Sequence, residues 1–261
     1  MKIALCFLIS YNHEVNKEHI WREWIEYNKD IINVYFHYKD INMIKSPWIK
    51  DHAIPREYIV ETSYYHVVNA YLSISYYAML HDKENAQFCF LTEACAPIVP
   101  PAKFREIFMN HHDKSMMGWK PAWWNLELHK RANLRLLAPE FRLANEPWFI
   151  LNKQDINHCL LYAKVNRNIF KLICNGGLAN ESIFAIILYS MGTLGNVINE
   201  ITHCVDWNRR SSPTSPYVFK DGTQEDINYI DNFIKKNQYT MFLRKVSPEF
   251  PDEILFRFLY Q

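Results

Sequence analysis

The sequence predicts an α/β fold in which a mixed, mostly parallel central sheet is flanked by helices. Short apolar runs alternate with longer amphipathic runs through the first half of the chain, as in a sheet with crossover helices. Apolar residues make up 49% of the 261 residues, which is enough to bury a large core. Because no internal repeat, coiled coil or linker interrupts the pattern, we expect one domain over residues 1–261.

The elements of the first half are predicted from their hydrophobic period. A short continuous apolar run indicates a buried strand, and apolar residues three or four positions apart indicate one face of a helix. In order, these patterns predict a strand over 2–10, a helix over 19–28, a strand over 31–37, a helix over 65–80 and a central strand over 87–92. Pro97, Pro100 and Pro101 follow, and we expect them to close this strand because proline cannot extend a ladder.

The second half gives fewer regular signals. Residues 119–142 are rich in Trp and basic residues without a clean period, so we expect loops and short elements that cover a cleft. Two prolines and four hydroxyl residues at 211–216 favour a loop. The remaining predicted elements are a strand over 147–151, a helix over 153–165 and a helix over 180–190 that follows Gly176 and Gly177.

Charge and cysteine usage narrow the classes of partner and compartment. With 29 basic and 28 acidic residues the formal net charge is +1, so no global field favours nucleic acid or an anionic membrane. The six cysteines include no CxxC pair, which indicates buried thiols in a reducing compartment. No apolar run reaches the roughly 18 residues of a membrane span, and residues 1–10 lack a signal-peptide cleavage site. We expect a protein that is cytoplasmic or otherwise soluble in a reducing compartment, without signal peptide or anchor. The sequence does not predict its oligomeric state.

Seven short blocks occur in an order that spans almost the whole chain. They are ISYNH at 9–13, VYFH at 34–37, LTEACAP at 91–97, EPWFIL at 146–151, ANE at 179–181, VDW at 205–207 and FLRK at 242–245. In this order they resemble the core-2/I-branching β-1,6-N-acetylglucosaminyltransferase family, including its plant-type branch. The resemblance implies a GT-A glycosyltransferase fold, with a nucleotide-sugar half at 1–100 and an acceptor and catalytic half at 101–261. It also implies inverting transfer of a GlcNAc-like sugar, or of xylose or glucose, from a UDP-sugar to a glycan or glycoprotein hydroxyl.

Glu181 matches the catalytic base of the family that the chain resembles. Inversion needs a group that deprotonates the acceptor hydroxyl on the face opposite the leaving diphosphate, and a carboxylate suits this role. Asn180 is a good N-cap, which predicts Glu181 in the first turn of a helix, where the helix dipole favours the ionised form. The alternative is that Glu181 only stabilises a helix start, because Glu is common there for the same reason.

Negative charge develops on the departing diphosphate, and the sequence offers cations for it. The chain contains no Asp-x-Asp motif and no His or Cys pair at ligand spacing, so we expect no metal cofactor. Arg244 and Lys245 match the basic pair of the resembling family, and we favour Lys245. For a second cation the sequence offers Arg209, Arg210 and Lys220, of which we select Arg210.

The remaining site predictions concern donor and acceptor contacts. Thr92 and Glu93 end the central strand, and ligands of open α/β sheets gather at the carboxyl ends of strands. Ser10 lies in the block that matches the nucleotide-binding strand of the family. Trp207 matches an acceptor-side Trp of the family. We predict that Trp207, Trp124 and Glu146 bind the acceptor. The alternative for Trp207 and Trp124 is that they belong to a Trp-rich core.

Two departures from the family pattern define alternative functions. Tyr38 and Lys39 follow His37 where the family places an Asp shortly after the His, and Asn180 replaces an Asp. The alternative function is therefore a catalytically degenerate transferase fold that binds nucleotide or glycan without turnover. A metal-dependent enzyme of another GT-A family is a weaker third option.

Overall fold

A computed structural model of the chain describes residues 1–63, 65–210 and 212–260. Its longest strands and helices follow the apolar runs of the sequence. The strands are β1 (Lys2–Leu8), β2 (Ile32–His37), β3 (Asn85–Thr92), β4 (Cys95–Pro97), β5 (Trp119–Pro121), β6 (Leu143–Asn145), β7 (Ile150–Asn152), β8 (His203–Val205) and β9 (Phe242–Arg244). The helices are α1 (Glu18–Glu26), α2 (Pro47–Asp51), α3 (Val68–His81), α4 (Pro101–His111), α5 (Lys153–Val165), α6 (Arg167–Cys174), α7 (Ile183–Ser190), α8 (Gln224–Lys236) and α9 (Asp252–Leu259).

The central sheet has the strand order β2, β1, β3, β7. β1 lies parallel to both β2 and β3, and β7 runs antiparallel along β3. Helices cover both faces of this sheet, as its side chains show: Leu5 and Phe7 of β1 pack into a cluster with α1, α4 and α9, whereas Ala4 and Cys6 pack into a second cluster with α3, α5 and α7. The predicted mixed, mostly parallel sheet flanked by helices is confirmed.

A smaller sheet has the order β4, β9, β8. The central strand β3 ends at Thr92, as predicted, and Pro97 is the last residue of the separate strand β4, opposite Phe242 of β9. β4 is an edge strand that pairs only with β9, so proline is tolerated where its missing N–H would point away from the sheet. Pro101 begins α4, a position where the proline ring is tolerated.

Two buried tryptophans of α1 form hydrogen bonds to the backbone of β4 and of the segment that follows it. The Trp21 indole donates a hydrogen bond of 2.9 Å to the Cys95 carbonyl, and the Trp24 indole donates one of 2.9 Å to the Val99 carbonyl. Both side chains are almost fully buried, so each contributes on the order of 2 kcal/mol of hydrophobic stabilisation while its polar atom stays paired.

Two further sequence-based expectations concern thiols and membrane spans. All six cysteines are free thiols, and all but Cys174 are buried, which confirms the prediction of buried thiols. Across the three described stretches, no helix combines the length and the apolar character needed to cross a bilayer.

Candidate active site

The candidate site lies where several strands end at the same edge. The Arg244 guanidinium, at the end of β9, donates a hydrogen bond to the Thr92 hydroxyl at the end of β3. Val205, the last residue of β8, lies opposite Arg244 in register. Because β7 runs antiparallel to β3, the segment that leads into β7 reaches this edge as well. Carboxyl ends of strands are the usual place for ligands in α/β sheets.

A first chamber at this edge has a volume of about 120 Å³. We name it the Lys245 chamber. The residues that line it include Glu146, Trp148, Glu181, Trp207, Arg244 and Lys245. Glu181 and Lys245, which are far apart in the sequence, therefore share one cavity. This volume is below the roughly 300 Å³ of typical ligand sites, so the chamber by itself can enclose only part of a larger ligand.

The two cations of the Lys245 chamber are held differently. The Arg244 guanidinium stacks on Trp148, with Cζ 4.0 Å from the ring centroid, and is fixed by its bond to Thr92. The Lys245 ammonium donates a 2.9 Å hydrogen bond to the Ser215 hydroxyl. Burial lowers the pKa of Lys245, and the neighbouring Arg244 lowers it further, against the opposing effect of Glu93. In the part of the chain that the structure describes, no carboxylate forms an ion pair with Lys245, so this cation can bind an anionic ligand.

The loop predicted at 211–216 supplies the Lys245 partner. Ser212 and Ser215 exchange backbone hydrogen bonds across a turn, and Thr214 and Pro216 line the Lys245 chamber. The loop prediction is confirmed for 212–216, whereas Ser211 lies outside the described residues.

Glu181 lies in a short 3-10 turn, Ala179–Glu181, and α7 begins only at Ile183. The prediction that Asn180 caps a helix with Glu181 in its first turn is therefore wrong. Burial raises the pKa of Glu181 to about 7; Arg131 opposes this shift and Glu146 adds to it. Desolvation is the largest cause of this shift, and its direction is opposite to the one expected from a helix start.

The turn that carries Glu181 is fixed by Asn145, the last residue of β6. Its side-chain amide donates a 2.8 Å hydrogen bond to the Asn180 carbonyl, and its side-chain carbonyl accepts one of 3.2 Å from the Ala185 amide. Asn145 is buried, so these bonds are shielded from water and hold the turn against the start of α7.

Arg131 faces Glu181 because of a close backbone approach at Gly176. The Arg131 Nη1 lies 3.4 Å from Glu181 Oε2, and the Ala132 amide donates a 2.9 Å hydrogen bond to the Gly177 carbonyl. A Cβ atom on Gly176 would lie 2.4 Å from the Asn133 amide nitrogen. Only glycine fits this position without moving the segment that carries Arg131.

We expect Gly176→Ala to destabilise the protein by about 2 kcal/mol, because the added methyl group overlaps backbone atoms. Gly177→Ala is the matched control, since a Cβ there meets no atom within 4 Å. Urea unfolding of both variants measures the difference. Equal urea midpoints for the two variants would show that residues 131–133 shift to accommodate the methyl group without loss of stability.

A second chamber, of about 410 Å³, adjoins the first. We name it the Trp123 chamber. Glu146, Glu181 and Trp207 line both chambers, so the two meet at these side chains. The second chamber is also lined by Lys120, Trp123, Arg131 and Arg210. Trp207 is 46% exposed, so the alternative that it is a core residue is wrong. Trp123, which was not among the predicted site residues, is 63% exposed.

The other predicted residues lie at varying distances from the two chambers. Arg210 lines the Trp123 chamber and not the Lys245 chamber. Trp124 packs against the core with Arg131 5.2 Å above its ring, and its indole N–H is buried without a partner among the described residues. Glu93 acts on Lys245 through its charge, and Ser10, just after β1, lines neither chamber.

Arg209 has a structural role. Its Nε lies 2.7 Å from Asp206 and its Nη1 lies 2.8 Å from Asp226, both of which are buried carboxylates. Its guanidinium also stacks on Tyr217 at 4.1 Å. Lys220 is exposed and lines neither chamber. The charge of Arg209 is therefore balanced by two buried carboxylates, and Lys220 lies outside both chambers.

A family model described as Core-2/I-Branching enzyme matches residues 5–231. The matched span contains Thr92, Glu146, Glu181 and Trp207, whereas Lys245 lies beyond its end. A search of curated proteins finds no match.

Proposed function

The chain belongs to the core-2/I-branching enzyme family, and from this membership we propose that it is an inverting, metal-independent glycosyltransferase with a GT-A fold. Members of the family are glycosyltransferases, which supports sugar transfer as the activity. The donor in this proposal is a UDP-sugar, carrying GlcNAc or a related residue such as xylose or glucose. The acceptor is a hydroxyl of a glycan or glycoprotein. The observation that supports a metal-independent displacement is that Glu181 and Lys245 line one chamber. The donor, the sugar and the acceptor are proposed from the family resemblance alone.

The proposed reaction is a single displacement at the anomeric carbon. The Glu181 carboxylate takes the proton of the acceptor hydroxyl, and the acceptor oxygen bonds to the anomeric carbon. The bond from that carbon to the diphosphate breaks on the opposite face, and UDP leaves with the electron pair. Protonated Glu181 then releases its proton to solvent. A base with a pKa of about 7 is well matched to such a step near neutral pH.

The cations of the Lys245 chamber stabilise the leaving group in this proposal. Lys245 has a neutral hydroxyl as its hydrogen-bond partner, so its charge is available to the diphosphate. Arg244 contributes a second charge held in place by Trp148 and Thr92. On the acceptor side, Trp207 offers an exposed aromatic face, and Glu146 accepts hydrogen bonds from sugar hydroxyls.

Arg131 sets the pH at which Glu181 can act. Arg131 lowers the pKa of Glu181, so Arg131→Gln is expected to raise that pKa. Because only the ionised carboxylate accepts a proton, the acidic limb of the pH profile of transfer should move to higher pH. The profile of kcat/KM measures the shift. Arg135→Gln is the control, because Arg135 pairs with exposed Glu127 instead. An unchanged limb in Arg131→Gln would contradict Glu181 as the group that titrates.

A UDP-release assay across a panel of UDP-sugars, coupled to calorimetry with UDP, tests the proposal. Release that depends on acceptor would support transfer. Binding of UDP or a UDP-sugar without release would instead support the alternative of a fold that binds nucleotide without turnover. Loss of release in EDTA, restored by a divalent ion, would indicate the metal-dependent option.

A further inference from the structure

The Trp123 chamber carries positive charge that its own carboxylates do not pair. Of the cations that line it, Arg131 faces Glu181 at 3.4 Å. Lys120 and Arg210 form no ion pair with any carboxylate in the described ranges. Both side chains are exposed and have no protein counter-charge in these ranges, so they are free to bind an anionic ligand.

The cations of this chamber outnumber its carboxylates. Lys120, Arg131 and Arg210 line it together with two carboxylates, Glu146 and Glu181. The formal charge of the chamber is therefore positive, although the whole chain has a formal charge of only +1. The charge is thus a local property of the cleft.

The same chamber has the features of a carbohydrate subsite. Trp123 presents an exposed ring, and the Lys120 ammonium lies 3.9 Å from its centroid. The ammonium covers one face of this ring, so a sugar that contacts Trp123 would bring its substituents near a cation. A further cavity of about 240 Å³ shares Lys120, Trp123 and Glu146 with this chamber and extends the cleft toward Asn199 and Asn237. The cleft therefore has room for more than one sugar unit beyond the two glutamates.

We propose that the Trp123 chamber binds an acidic sugar of the acceptor glycan, whose carboxylate or phosphate group is held by Lys120 and Arg210. Its place beside the reacting hydroxyl rests on the proposed function, whereas the binding itself does not. Arg210 is then an acceptor-binding residue and not the second cation for the diphosphate. The donor diphosphate and the acidic group of the acceptor occupy separate chambers that meet at Glu181 and Glu146.

The test is a panel of immobilised neutral oligosaccharides, each paired with its uronic-acid and its phosphorylated counterpart. We expect the unmodified chain to bind acidic members about tenfold more tightly than neutral ones at low salt, because charge-assisted hydrogen bonds add affinity. The uronic-acid and phosphate arms identify which anion is recognised. Lys120→Gln/Arg210→Gln should abolish the preference and leave UDP affinity unchanged. The control variant Lys235→Gln/Lys236→Gln removes two exposed cations of α8 and should retain the preference for acidic glycans.

Three results would overturn the proposal. The first is that the chain binds acidic glycans no more tightly than neutral ones, or does not bind acidic glycans at all. The second is a preference that survives the loss of Lys120 and Arg210. The third is a fall in UDP affinity in that double variant, which would place its cations on the donor. A chain that prefers acidic glycans but transfers no sugar would contradict the proposed function and leave this inference standing.

Discussion

Glu181→Gln is expected to reduce sugar transfer by about a thousandfold while UDP still binds. Gln has nearly the shape of Glu but cannot accept the acceptor proton. The carboxyl lines both the Lys245 and Trp123 chambers, so the change removes the proposed base and leaves both chambers open. Burial disfavours the ionised carboxylate, so the neutral Gln variant should melt at no lower temperature than the unmodified chain at neutral pH.

Transfer rates by UDP release, UDP affinity by calorimetry and thermal melting together measure this prediction. Glu57→Gln is a control that removes an exposed carboxylate lining neither chamber. Full transfer activity in Glu181→Gln would exclude this residue as the base. A loss of UDP binding equal to the loss of rate would instead indicate a structural defect.

Lys245→Gln is expected to lower the transfer rate by about a hundredfold and to weaken UDP binding. The ammonium is half-buried, and its hydrogen-bond partner is the neutral Ser215 hydroxyl. Gln therefore removes a positive charge that Arg244, the other cation lining the chamber, replaces only in part. Lys245→Arg should recover part of the rate, because it restores the charge with a different geometry. EDTA should leave the rate of the unmodified chain unchanged.

The control for Lys245 is Lys220→Gln, which removes an exposed cation outside both chambers. Steady-state rates and UDP affinities should match those of the unmodified chain. Full activity in Lys245→Gln would remove this residue from the mechanism. A rate that falls in EDTA and returns with a divalent ion would show that a metal, and not Lys245, balances the diphosphate.

The long elements were predictable because their period is clear. The helix predicted at 153–165 has the same bounds in the structure, and the buried strands β1, β2 and β3 appear within a few residues of their predicted ends. β5, β6, β8 and β9 have three residues each, too few to show a period. α8 was missed although Thr223 and Asp226 form a capping box, a signal that sequence alone could have provided.

The site was predictable where it rests on motifs and unpredictable where it rests on packing. Glu181 and Lys245 share a cavity, as their motif positions suggested. Arg131 reaches Glu181 only because the backbone at Gly176 allows a close approach, which no local pattern encodes. The raised pKa of Glu181 comes from burial by distant segments, so the helix-start pattern gave the wrong direction.

A crystal structure of the chain with UDP and the donor sugar bound would test most directly whether Glu181 and Lys245 act on one carbon. We expect the diphosphate within hydrogen-bond distance of the Lys245 ammonium, and the anomeric carbon facing the Glu181 carboxylate across the Lys245 chamber. A diphosphate bound away from Lys245, or a sugar whose anomeric carbon faces no carboxylate, would contradict the proposed mechanism.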